Sequence, residues 1–140
     1  MVQTMNLQDI VFTGRIQITD YLGWMDATIL TSISEGQPLT ILESFAARVP
    51  VIATNVGNCQ GLLYGEEDDF GPAGIITHIM NVQEIADAMI YMARHPEQRK
   101  RMGEAGYQRM MSRYKVEDMK EIYEQIYAQC AARQGQMWNK

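Results

Sequence analysis

Two carboxylates, Glu35 and Glu43, bracket the stretch Gly36-Gln37-Pro38-Leu39-Thr40-Ile41-Leu42. An apolar run ends at Ser32, a Gly/Pro-broken turn follows, and a helical pattern begins near Pro38, which fits the first helical position because its missing N–H is no loss there. A helix start presents unpaired backbone N–H groups and the positive end of a dipole, which together favour an anion such as a phosphate. Gly36 has no side chain to keep a ligand off the backbone. Two carboxylates repel phosphate, so Glu35 and Glu43 must face something neutral. Hydroxyl pairs of a sugar suit them, since a charge-assisted hydrogen bond contributes roughly 1.5–3 kcal/mol. On pattern alone a second reading stands beside this one: a turn carboxylate and a helix-surface carboxylate with no ligand.

Other candidate groups carry less. Glu66, Glu67, Asp68 and Asp69 lack the spacing of a calcium loop and read as a solvated acidic loop. His78 and His95 have no partner at metal-ligand spacing and read as structural, so no metal site is expected. Cys59 and Cys130 are far apart and outside any CxxC setting, which favours a reduced chain over a disulfide framework without excluding paired thiols. The eleven methionines, and Tyr107, Tyr114, Tyr123 and Tyr127, read as packing residues of helices.

The elements that must position the two glutamates alternate in the first half of the chain. Ile10–Gly14, Ala27–Ser32, Val49–Thr54 and Ala73–Ile79 are short, nearly continuous apolar runs, as expected of strands covered on both faces. Between the first two, ITDYLGWMD reads as a short helix capped by Thr19 or Asp20, with Tyr21, Leu22, Trp24 and Met25 supplying apolar surface. Between the second and third, PLTILESFAAR puts Ile41, Leu42, Phe45 and Val49 on one face and Glu43 at its edge. The expected fold class is therefore α/β, a partial Rossmann-like parallel sheet of about four strands flanked by helices. That arrangement places the 32–43 turn at the carboxyl end of the sheet, where open α/β sheets bind ligands.

The final third reads as all-helical. Asn81 with Glu84 forms a capping-box-like start, followed by Ile85, Met89 and Met92 at helical spacing. His95-Pro96 closes that helix and opens another, which reaches about Tyr114 with interruptions at Gly103 and Gly106. The last helix, in residues 115–140, carries Val116, Met119, Ile122, Tyr123, Ile126, Tyr127 and Cys130 as an amphipathic stripe, and RQGQMWNK is expected to fray.

Composition bounds the function. The 140 residues fit one domain, 46% hydrophobic and 21% charged, which argues against disorder. A net charge of -5 gives no general attraction to nucleic acid or anionic lipid. The start MVQTMNLQDI has no basic, apolar leader, and no apolar run approaches the ~20 residues of a spanning helix. A cytoplasmic chain with no membrane span is expected.

ILTSISEGQPLTILESFAARVPVIATNVG, residues 29–57, closely resembles the E-x7-E segment of retaining GT-B glycosyltransferases of the group 1 type, family 4. SISEGQPLTILE is most similar to the branch associated with Pel-type exopolysaccharide synthesis, and the likeness extends over about residues 10 to 130. The resemblance implies the C-terminal part of a GT-B nucleotide-sugar-binding domain. It makes Glu35 the residue beside the donor sugar and its reacting centre, and Glu43 the one that bonds the ribose hydroxyls. The turn amides of Gly36, Gln37, Leu39 and Thr40 would hold sugar and diphosphate, with Pro38 shaping the turn. Catalysis would need no metal, and the nucleotide-sugar, a UDP-sugar such as UDP-glucose, would be substrate rather than cofactor.

The same resemblance implies that residues 1–140 are an incomplete donor-binding domain, about the last third of such an enzyme. The family's basic residues and its acceptor-binding N-terminal domain have no counterpart here, so a glycan acceptor would be reached only through the missing portion and the isolated chain would be inactive. An unpaired sheet edge and the last helix would then favour self-association. The loop VGNCQGLLYG departs from the family, with Asn58 in place of a second glycine and Gly61 where a glutamate is usual. Gly57 there reads either as a close approach to nucleotide or as a plain turn. A non-catalytic α/β module that binds a nucleotide or a protein is the alternative class.

Overall fold

The computed structural model describes residue 7, residues 9–66 and residues 68–137, the last four by their backbone alone. Three strands, β1 (Thr28–Leu30), β2 (Val51–Thr54) and β3 (Gly74–Thr77), form a parallel sheet in the order β1-β2-β3. Their register pairs Ile29 with Ile52 and Ile52 with Ile75. Five helices complete the described chain: α1 (Leu39–Ala46), α2 (Cys59–Tyr64), α3 (Val82–Arg94), α4 (Pro96–Arg113) and α5 (Val116–Met137).

At β2, the central strand, both faces of the sheet are covered, whereas Ile29 of β1 is exposed. All four residues of β2 are buried. Val51 and Ala53 join Ile41 and Phe45 of α1, Leu62 and Leu63 of α2 and Ala105 of α4 on one side. Ile52 packs with Ala88 and Met92 of α3 on the other. A strand of this kind cannot show polar alternation, since either face would then bury an unpaired polar group.

One expected strand is absent. Ile10–Gly14 runs without strand pairing, and Val11 and Phe12 are exposed. A strand needs a neighbour for its N–H and C=O groups, and among the described residues β1 pairs only with β2. The remaining three runs are strands with their ends trimmed. The segment ITDYLGWMD is two 3-10 turns, Ile18–Asp20 and Leu22–Trp24, rather than one helix. Neither Thr19 nor Asp20 caps it, and of its apolar residues only Leu22 is buried.

The helices follow the sequence more closely. Asn81 accepts a hydrogen bond from the Glu84 N–H at 3.2 Å, as a cap should. The Glu84 carboxylate reaches back past the cap to the His78 N–H at 2.7 Å and to its ring Nδ1 at 2.9 Å, which gives His78 a structural role. His95 caps the junction of α3 and α4 and stacks on Tyr91. Gly103 and Gly106 do not interrupt α4: a Cβ at Gly103 would overlap the Arg48 carbonyl, and one at Gly106 would lie 2.5 Å from Phe45 Cδ1. They are the places where α1 and its C-terminal turn press against α4.

The acidic loop is not uniformly solvated. Asp68 receives Nε and an Nη of Arg109 at 2.8 and 2.6 Å, with side chains only 6% and 1% exposed. Arg109 also donates to the carbonyls of Leu62, Leu63 and Gly71, so its whole fork is used. The pair ties the loop before β3 to α4. Glu67 lies outside the described residues, as do Trp138, Asn139 and Lys140 of the expected frayed end, while the chain before them is helical to Met137. Met89 is exposed, and the α5 stripe is exposed throughout, including Tyr123 and Tyr127, which the sequence suggested were packed. Cys59 is a buried free thiol and Cys130 an exposed one.

Candidate functional site

The chain leaves β1 at Leu30 and reaches α1 at Leu39, so residues 31–38 cross the carboxyl end of the sheet. Pro38 is the N-cap rather than the first helical residue, with φ -71° and ψ 115°, and is buried. No side chain caps α1. The N–H groups of Gly36, Gln37, Leu39 and Thr40 make no hydrogen bond, because Pro38 offers no side-chain acceptor and the first intrahelical bond is Ile41 N–H to Pro38 O, 3.2 Å. Gly36, Gln37, Leu39 and Thr40 are exposed, and nothing lies within 4 Å of where a Gly36 Cβ would be. Four unpaired donors thus follow one another at the start of a helix.

Glu35 sits half-buried in this turn. Ser32 donates to its Oε1 at 2.7 Å, and the Ser32 carbonyl accepts from Thr54 Oγ1 at 2.5 Å. Thr54 belongs to β2, so the carboxylate is fixed to the sheet through two hydroxyls. Cys59 is close by: burial pushes its thiol up, and the charge of Glu35 adds to the effect.

Glu43 lies on the exposed surface of α1 and makes no ion pair among the described residues. With Thr40, Ser44, Thr28, Ile18 and Leu22 it lines a cavity of about 150 Å³ between β1, α1 and the first 3-10 turns. Ser44 holds α1 to the sheet there, donating to the Thr40 carbonyl at 2.7 Å and sharing a 2.9 Å hydrogen bond with Thr28 Oγ1. Of the seven residues singled out by sequence, six are at least partly exposed along the turn and α1, and Pro38 is buried.

Four contributors were not singled out as such. Ser32 and Thr54 orient Glu35, and Gly57 and Asn58 pack beneath the turn. Gly57 has φ +50°, and a Cβ there would overlap the Glu35 carbonyl and lie 2.5 Å from that of Gly36. The Asn58 N–H donates to the Gly36 carbonyl at 2.9 Å. The close approach anticipated at Gly57 is thus made to the protein's own backbone. A glycine at a strand end was the only visible signal, since the partners lie twenty residues away.

Comparison with known proteins bears on the family and the fold. The sequence profile described as glycosyl transferases group 1 matches residues 1–109. An N-acetyl-alpha-D-glucosaminyl L-malate synthase of Bacillus anthracis is 26% identical over 91% of the chain and 32% of its own length. A putative teichuronic acid biosynthesis glycosyltransferase, TuaC of Bacillus subtilis, is 44% identical over 37% of the chain and 14% of its length. Among solved structures, sucrose-phosphate synthase of Thermosynechococcus elongatus superposes with a TM-score of 0.84 at 26% identity, over 94% of this chain and 33% of that one. The C-terminal domain of a group 1 glycosyl transferase (LpcC) from Francisella tularensis gives 0.70 at 27% identity, over 82% of this chain and 59% of that one. The chain thus spans about a third or less of the length of these two curated relatives.

Proposed function

The chain belongs to the group 1 glycosyl transferase family, and from that premise we propose that it is the donor-binding part of a retaining hexosyltransferase of family 4. Its substrate in this reading is a UDP-sugar such as UDP-glucose, its acceptor a growing glycan held by a domain outside these 140 residues, and its setting cytoplasmic exopolysaccharide synthesis of the Pel type. The similarity to TuaC, a putative teichuronic acid biosynthesis glycosyltransferase, supports a biosynthetic setting. No described helix is long and apolar enough to cross a membrane.

The observation that carries the proposal is the run of free amides between two carboxylates. The diphosphate would lie at the start of α1, accepting from Leu39 and Thr40, with the sugar against Gly36 and Gln37. As the bond between anomeric carbon and phosphate oxygen breaks, its electron pair goes to the diphosphate, while an acceptor hydroxyl bonds the anomeric carbon and its proton passes to the departing diphosphate. Donors already aimed at that oxygen stabilise the charge as it forms, without reorganisation and without a metal. Glu35, held by Ser32, would accept from hydroxyls of the sugar, and Glu43 from those of the ribose, placed beside the cavity that Thr40 also lines.

Calorimetric titration with UDP and UDP-glucose tests this reading. Glu43→Ala should weaken both ligands about tenfold, the loss of one charge-assisted hydrogen bond, and a chelator should change neither affinity. Equal binding by wild type and Glu43→Ala, or metal-dependent binding, would count against it. Self-association belongs to the same proposal, through the edge of β1 that pairs with no described strand or the exposed stripe of α5. Sedimentation of Ile122→Glu against wild type measures it, and a concentration-independent monomer in both would remove that part.

A further inference from the structure

The loop after β2 contributes no side chain to the free amides, yet its backbone lies directly behind them. The Asn58 N–H holds the Gly36 carbonyl at 2.9 Å, and Gly57 stands so close to the Glu35 and Gly36 carbonyls that no Cβ fits between. The described peptide bonds are all trans, so the C=O and N–H of each unit point in opposite directions. A Glu35 carbonyl turned toward Gly57 sends the Gly36 N–H the other way, and a Gly36 carbonyl turned toward Asn58 does the same for the Gln37 N–H. Both of those N–H groups are the ones left without a partner.

We propose that Gly57 and the backbone N–H of Asn58 are positioning elements of the donor site, which lock the 35–36 and 36–37 peptide planes so that the Gly36 and Gln37 amides face the ligand. The inference rests on the donor-binding reading for what the amides then hold. At residue 58 the brace uses only the N–H, and a φ of -90° suits any side chain. Residue 57 has no such freedom, having both the positive φ and the contact.

Two substitutions at one position separate the brace from general packing. Asn58→Ala keeps the N–H, whereas Asn58→Pro replaces it with a ring carbon that presses on the Gly36 carbonyl, at a helix N-cap where no intrahelical bond is lost. Amide NMR spectra of the ligand-free chain should show Gly36 and Gln37 unchanged in Asn58→Ala and displaced in Asn58→Pro and Gly57→Ala, with the resonances of β2 and β3 retained. Titrated with UDP-glucose, Asn58→Pro and Gly57→Ala should lose about fivefold in affinity, the order of one hydrogen bond, while Asn58→Ala stays at the wild-type value. Native Gly36 and Gln37 signals in Asn58→Pro, or undiminished binding by both disruptive variants, would overturn the proposal. If the wild-type chain binds no UDP-glucose, the donor reading fails and the brace stands or falls on the ligand-free spectra.

Discussion

Ser32 Oγ donates a 2.7 Å hydrogen bond to Oε1 of Glu35, three residues further along the same turn. Because the Ser32 carbonyl is itself held by Thr54 of β2, the glutamate inherits the rigidity of the sheet although it stands in a loop. A carboxylate that reads sugar hydroxyls needs this, since each hydrogen bond is directional and a loose side chain would lose entropy on every binding event.

Removing that hydroxyl should therefore separate sugar from nucleotide. Ser32→Ala is expected to weaken UDP-glucose about fivefold, the order of one hydrogen bond, while leaving UDP unchanged. Competition titrations with the two ligands check it, and an equal loss for both would place Ser32 in fold rather than donor selection.

Glycines in the two settings should respond oppositely. Gly106→Ala drives a methyl into Phe45, which is fully buried, and should destabilise the chain by about 1–3 kcal/mol. Gly36→Ala meets open space, so thermal stability should hold while UDP-glucose binding falls, because the new methyl stands where the ligand approaches the backbone. Thermal melts beside calorimetry compare the two directly.

The Asp68–Arg109 pair sets an acid limit. Hydrogen bonds from Arg109 hold the Asp68 carboxyl below its usual range, so its stabilisation is complete above the unfolded value, about 3.9, and is lost as pH falls through the lower folded value. Urea midpoints should be flat in this contribution near neutrality and drop below about pH 4. Asp68→Asn should cost about 3–5 kcal/mol at pH 7, by leaving the Arg109 charge buried without its partner, and should flatten the acid limb.

What the sequence disclosed and what it hid have separate physical causes. The buried β2 and the cap at Asn81 are local patterns, and both are visible in a few consecutive residues. Ile10–Gly14 has the composition of a strand, but strand formation depends on a neighbour that its own residues cannot specify. Arg109 reads as one more helix arginine because Asp68 is 41 residues away, and three other acidic residues around it look equally suitable. Within the candidate site, the turn into α1 was legible through its Gly and Pro, while Glu35 and Glu43 stand out by type and spacing as a proposal that ligand titration tests. The Gly57–Asn58 brace was not legible, since it acts through backbone atoms that every residue carries.

The central claim, that residues 35–43 hold a nucleotide-sugar donor, is tested most directly by an amide NMR titration of the chain with UDP-glucose, repeated on Glu43→Ala. The account predicts shifts confined to Glu35–Glu43 and the adjoining Gly57–Asn58 loop, saturating in wild type and about tenfold weaker in the variant. Shifts spread evenly over the chain, centred elsewhere, or indifferent to Glu43→Ala would contradict it.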